Sequence, residues 1–202
     1  MTRALFVIDV QNDFTEGGAL GVTGGAHVAQ AVTDHLRAHR DRYDLVVASR
    51  DWHAPDGDNG GHFSAEPDFV DSWPTHCVQG STGADYHPDL DTALVDVHVL
   101  KGDGRPAYSL FDGLVDDGRP FGDVLAATGV DEVDVVGLAT DHCVRASALD
   151  AVTAGLGVTV LTDLVAGVAP APSEAALAEL RAAGVRTAPS SDVVDGSTGV
   201  PA

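Results

Sequence analysis

Short β-branched apolar runs alternate along the chain with Ala-rich amphipathic stretches. Residues 4–8, 45–49, 95–100, 133–138 and 158–161 predict buried strands, with 185–188 as a last one. Helices fit 26–40, behind Gly24-Gly25, then 121–128, 143–154 and 173–183, the last opening with Pro172 and a Ser173 cap. Strands alternating with helices argue for α/β architecture: one parallel sheet with helices on both faces. A single domain is expected over 1–188, followed by a Ser/Asp/Gly/Pro-rich tail, 189–202, expected to be flexible. The exception to the pattern is 51–91, a Gly/Pro/His-rich segment without periodicity that carries two Trp and four His. Loops of that length in a compact domain are functional or disordered, and the Trp and His content argues for function.

Ligands of open parallel sheets bind at the carboxyl ends of the strands, so the residues after each run carry the chemistry. Asp9 follows the first run, Arg50 and Asp51 the second, Lys101 the third, and Ala139-Thr140-Asp141-His142-Cys143 the fourth. Thr140 or Asp141 can cap the next helix, which would put Cys143 in its first turn, where the helix dipole and a nearby lysine favour a thiolate. Lys101 is the sole lysine beside ten arginines, and a titratable point charge is what arginine cannot supply. A buried Asp9 needs a cation and Lys101 is the available one, while Asp13 reads as a turn cap. Asp9, Lys101 and Cys143 together make an acid/base, an electrostatic partner and a nucleophile.

Asp51 and His53, two residues apart in extended chain, point the same way. With His62 after a Gly-rich turn and His76 after Trp73-Pro74-Thr75, they make a ligand set suited to Zn, Fe or Mn, with water completing the shell. Helix-face roles suffice for His27, His35 and His39, and Cys77 is assigned no role.

Charge narrows the partners. Acids outnumber bases 31 to 11, for a net charge of -20, which repels nucleic acid and anionic lipid. Asp supplies 26 of the acids, a bias that fits a surface adapted to high salt. No apolar run approaches the ~20 residues of a membrane span. The first residues lead directly into a strand rather than a signal peptide. Two cysteines cannot frame a disulfide scaffold, so free thiols in the cytoplasm are expected.

Six ordered segments, Val7-Ile8-Asp9-Val10-Gln11-Asn12-Asp13-Phe14, Asp51-Trp52-His53, Gly61-His62-Phe63-Ser64, Trp73-Pro74-Thr75-His76-Cys77, Lys101-Gly102 and Gly137-Leu138-Ala139-Thr140-Asp141-His142-Cys143-Val144, resemble the nicotinamidase/pyrazinamidase group of the isochorismatase-like hydrolases. The similarity runs from about residue 3 to about residue 188. It implies a Rossmann-like α/β hydrolase with a catalytic Asp9, Lys101 and Cys143. It implies one divalent ion, zinc ahead of iron or manganese, on Asp51, His53, His62 and His76, which contacts a pyridine nitrogen directly or through water. It further implies a cis peptide between Leu138 and Ala139, an oxyanion hole from the N–H groups of Ala139 and Cys143, and a ring pocket of Phe14, Trp73, Tyr108 and His142. The expected reaction is hydrolysis of nicotinamide, and pyrazinamide with it, to the acid and ammonia through a cysteine thioester, in NAD salvage. The expected enzyme is a monomer or small homo-oligomer that binds neither nucleic acid nor membrane. The nearest alternative is an amidase of the same superfamily acting on N-carbamoyl or ureido substrates. An isochorismatase would not need Cys143, and a metal-storing or redox-sensing module would bind metal without turning over an amide.

Overall fold

A computed structural model describes residues 1–194. Strand β1 (Arg3–Ile8) is buried from Ala4 onward and lies at the centre of a seven-stranded sheet. The chain then forms α1 (Gly25–His39), β2 (Leu45–Asp51), β3 (Val97–Lys101), β4 (Leu114–Val115), α2 (Phe121–Ala126), β5 (Glu132–Leu138), α3 (Arg145–Thr153), β6 (Gly157–Ala166), α4 (Pro170–Ala182), β7 (Arg186–Ala188) and α5 (Ser190–Val194). The order across the sheet is β4-β3-β2-β1-β5-β6-β7. All pairings are parallel except β3 with β4.

Alternation along β1 divides the core. Leu5 and Val7 pack on one face against Val28, Ala29, Val32 and Leu36 of α1. Phe6 and Ile8 pack on the other with Phe121 and Leu125 of α2, Ala148 and Ala151 of α3 and Leu180 of α4. Phe6 meets Phe121 edge-on at 5.5 Å, and full burial of such a side chain contributes roughly 1.5–3 kcal/mol. Strands covered on both faces read as continuous apolar runs, which is why these were legible. The chain builds one half of the sheet outward from β1 through β2 and β3, and the other through β5, β6 and β7. The switch point therefore lies between β1 and β5, where a cleft opens at the carboxyl ends.

Several expected elements differ. The two-residue β4, antiparallel to β3, is too short to carry a period. β6 runs on to Ala166, past its apolar core, with a register shift opposite Val135–Gly137. α4 starts at Pro170, and the Ser173 hydroxyl donates to the Ala169 carbonyl at 2.7 Å instead of capping the helix. Of the expected flexible tail, 190–194 form α5, whose Ser190 bonds Asp163; 195–202 lie outside the described residues. Among the described residues, no helix is long and apolar enough to cross a membrane.

Gly137 governs the switch point. Its φ is +110°, and a Cβ there would stand 2.1 Å from the Ile8 carbonyl oxygen. Backbone strain and a backbone clash together should cost about 3 kcal/mol. Gly137→Ala is therefore expected to lower the thermal midpoint by roughly 6–12 °C, at about 2–4 °C per kcal/mol for a chain of this size. An unchanged midpoint would contradict this close approach of β1 and β5.

Candidate active site and metal centre

Three adjacent strands end on one rim, and each delivers a charge. Asp9 follows β1 with φ +47°, while Asp51 and Lys101 close β2 and β3 as register partners. The Lys101 Nζ lies 2.9 Å from Asp9 Oδ2, pairs with Asp51 Oδ1, and donates to the Ala107 carbonyl at 3.2 Å. It also donates to the Cys143 Sγ at 3.6 Å. Asp9 Oδ1 accepts from Ser49 Oγ at 2.7 Å. Its Oδ2, although at ion-pair distance from the lysine, has no aligned hydrogen-bond donor. Ligand atoms of Asp9, Asp51 and Cys143 all lie within 4.8 Å of one another.

Burial sets the protonation of this cluster. It raises the Asp9 carboxyl above its ordinary range; Lys101 opposes that rise and the Asp51 charge adds to it. Burial also works against Asp51, yet Lys101 and the facing imidazoles of His53 and His76 hold it well below the usual range. The Lys101 ammonium, disfavoured by burial, is secured by Asp51, Asp9 and Cys143. The expectation of a depressed Cys143 pKa is overturned. Burial pushes the thiol up, Asp9 and Asp51 push it further, and Lys101 compensates only in part.

The expected caps differ as well. Cys143 sits in a π-turn, Thr140–Val144, ahead of α3 rather than in its first turn, and no side chain caps it. The Asp141 carboxylate accepts instead from Val168 N and Ala169 N. The Leu138–Ala139 peptide is cis.

Asp51 uses its second oxygen elsewhere. Oδ2 stands 3.7 Å from His53 Nε2 and 3.8 Å from His76 Nε2, too far for a hydrogen bond. Ligating atoms of His53, His62 and His76 lie within 4.8 Å of one another. Backbone carbonyls orient two of the rings, Gly102 O at 2.8 Å from His53 Nδ1 and Pro74 O at 2.8 Å from His76 Nδ1, leaving each Nε2 toward the cluster. A Cβ on Gly102 would meet the His53 ring at 2.6 Å, so only glycine admits that imidazole. His53 Nε2 and His62 Nδ1 are buried without a partner, and burial beside the other two imidazoles lowers the His62 pKa to about 4. Orphaned ring nitrogens and a carboxylate oxygen, with a neutral His62, form a donor set that fits a divalent cation.

A cavity of about 270 Å³ opens beside both groups. Phe14, Trp73, Tyr108 and His142 line it together with Asp51, His62, His76, Ala139 and Cys143. Trp73 Nε1 donates to Tyr108 Oη at 2.9 Å, and Trp73 stands edge-on to His142 at 5.0 Å. Cys77 packs away with its Sγ toward Gly83 O. Pattern alone missed three supports. Ser49 bonds Asp9, and Gln11 ties the Asp51 backbone through its N–H at 2.8 Å and its carbonyl at 2.9 Å. Asn59 ties Ala54 to Gly104. For Ser49 and Gln11 the one signal was a polar residue inside or just after a buried run; Asn59, in a Gly-rich loop, offered none.

An Isochorismatase domain model matches residues 3–192. The nicotinamidase/pyrazinamidase of Mycobacterium tuberculosis is 53% identical over 91% of this chain and 96% of that protein. Among solved structures, PnC1 of L. infantum in complex with nicotinate superposes with a TM-score of 0.80 at 35% identity, covering 94% of this chain and 93% of that one. The pyrazinamidase of Pyrococcus horikoshii in complex with zinc gives 0.79 at 36% identity, covering 94% and 99%.

His53→Ala removes one orphaned nitrogen from the cluster. Zinc affinity measured by titration of folded apoprotein should fall at least about tenfold, a loss of the size seen when even supporting partners of ligands are removed. Unchanged affinity would take His53 out of the ligand set.

Proposed function

The chain belongs to the isochorismatase-domain family of hydrolases, and on that footing we propose that it hydrolyses nicotinamide, and pyrazinamide with it, to the acid and ammonia through a thioester on Cys143. It is an amide hydrolase. The observation that carries the specific reading is the Lys101 ammonium, 2.9 Å from Asp9 and 3.6 Å from Cys143, the latter lining an aromatic-walled cavity.

The thiol is neutral at rest, since burial raises its pKa, so a base must act. Asp9 is that base: its raised pKa narrows the gap to the thiol, and Oδ2 is open to the proton. The thiolate forms beside the Lys101 ammonium and attacks the carboxamide carbon. The N–H groups of Ala139 and Cys143 hold the oxyanion, a contribution of roughly 3–4 kcal/mol per donor in comparable sites. Collapse breaks the C–N bond, and the proton on Asp9 passes to the departing nitrogen, which leaves as ammonia. Asp9 then takes a proton from water, whose oxygen attacks the thioester. The C–S bond breaks, the proton returns to sulfur, and nicotinic acid is released, its carboxyl proton passing to solvent to give nicotinate.

Asp51, His53, His62 and His76 would hold a divalent ion, zinc ahead of iron or manganese, which when bound would supply a Lewis-acidic anchor for the ring nitrogen. Phe14, Trp73, Tyr108 and His142 orient the flat ring. Two unpaired buried thiols suit a reducing compartment, so we place the enzyme in the cytoplasm. We take it as a monomer or small homo-oligomer acting on a small molecule.

Ammonia release from nicotinamide tests the assignment. Wild type should release it, Cys143→Ala should release none, and Lys101→Arg should lose about a hundredfold or more, because a planar guanidinium cannot replace a point charge between two carboxylates. Absence of release by folded, zinc-loaded wild type would discard nicotinamide in favour of N-carbamoyl or ureido amides. Turnover by Cys143→Ala would refute the covalent route.

A further inference from the structure

Three loops form the mouth of the cavity, and an aspartate carboxylate holds each one. Asp13 accepts from Ala19 N at 3.2 Å and from Cys77 N at 2.7 Å, steadying the loop of Leu20. Asp141 accepts from Val168 N at 3.0 Å and from Ala169 N at 3.4 Å. The third is the most heavily built. Asp68 Oδ1 accepts from the N–H groups of Val70, Asp71 and Ser72 at 3.0, 3.0 and 2.9 Å, and from Ser72 Oγ at 2.9 Å. Ser72 answers by accepting from Asp68 N at its hydroxyl and from Phe69 N at its carbonyl, both at 3.1 Å. The base of this excursion is clipped as well, Trp73 N donating to His62 O at 2.8 Å and Ser64 N to Trp73 O at 2.9 Å.

At the tip, the clamp holds Phe69 at φ +59°, a left-handed conformation costly for a bulky side chain. The residue is also 58% exposed. Neither feature serves stability. The ring stands edge-on to Trp73, at 6.1 Å and 84°, and lines the cavity, as Val168 does. Backbone strain combined with an exposed aromatic ring at a cavity mouth marks a position kept for binding.

We propose that Phe69 is a substrate-contacting residue that walls the outer side of the ring pocket, that Asp68 is the positioning residue holding it there, and that the pair sets affinity for a planar aromatic amide rather than the rate of its hydrolysis. This rests on the amide-hydrolase reading above. The reacting atoms meet at Cys143, whereas Phe69 acts on the ring at the mouth, so its loss weakens binding of ground and transition states alike.

The test measures nicotinamide kinetics and, by calorimetry, nicotinate binding to the zinc-loaded enzyme. Phe69→Ala should raise KM and the nicotinate Kd about three- to tenfold, the value of one aromatic pair, with kcat held within about twofold. Phe69→Leu should recover part of the loss. Asp68→Ala should reproduce it with the phenyl ring still present. Val70→Ala, in the same turn but outside the cavity, should change neither constant. Phe69→Gly relieves the left-handed strain and should melt no lower than Phe69→Ala while binding as poorly.

An unchanged KM and Kd in Phe69→Ala would overturn the proposal. So would a kcat that falls as far as KM rises, or a Val70→Ala effect of equal size. Wild type that binds nicotinate without hydrolysing nicotinamide would refute the hydrolase reading alone, since the Kd ratios still report on Phe69. Wild type that does neither would overturn both.

Discussion

One ammonium lies between two buried carboxylates, and the arrangement of the site follows from it. Removing Lys101, Asp9 and Asp51 from water costs several kcal/mol for each ion before their attraction is counted. Attraction offsets that cost only with close geometry, and strand register supplies it. Asp51 and Lys101 are register partners on β2 and β3, and β1 pairs alongside β2 up to Val7, two residues before Asp9. The Ala107 carbonyl and Ser49 hydroxyl complete the set. Deleting the lysine would leave two like charges buried at short range, which is why a substitution there disturbs far more than one contact.

The sharing is unequal, and the inequality divides the labour. Asp51 stays ionised far into acid, with one oxygen on Lys101 and the other toward two imidazoles. Asp9 is left the weaker claim on the lysine and a raised pKa. On the proposed reading, Asp51 helps to hold a cation and Asp9 exchanges a proton, the divergence by which neighbouring carboxylates take different roles. Asp51 is also the joint between the two groups, because the ammonium it anchors is the one that faces Cys143. Beside the cluster, His53 Nε2 and His62 Nδ1 are buried without a hydrogen-bond partner, an arrangement that suits a cation.

The sheet was legible because its central strands are buried on both faces, and the meeting of Asp9, Lys101 and Cys143 was legible because parallel strands aim their carboxyl ends at one rim. Asp9, Lys101 and Cys143 could be singled out as polar groups placed just past the ends of apolar runs. Interactions resting on single atoms were not legible. That Asp51 turns one oxygen to Lys101 depends on side-chain orientation. That Asp141 serves the Val168 loop instead of capping α3 depends on a tertiary approach. The direction of the Cys143 shift depends on desolvation and two carboxylates, which outweigh the lysine and which no residue pattern shows. The strand β4 and the extension of β6 have no hydrophobic period, because pairing partners rather than burial define them. The left-handed turn at Phe69 follows from one carboxylate oxygen accepting four donors, which no residue pattern announces.

The most direct test of the shared ammonium is the acid limb of kcat/KM for nicotinamide against pH, in wild type and in Ser49→Ala. That limb reports the protonation of the free enzyme's base, as an apparent value for the coupled set. With Asp9 as base and its pKa raised, activity should fall as pH drops through a value above the ordinary carboxylate pKa of about 4. Ser49→Ala removes a hydrogen bond that favours the ionised carboxylate, so its limb should move to higher pH. A profile flat down to about pH 4, or a limb that Ser49→Ala leaves in place, would contradict the account.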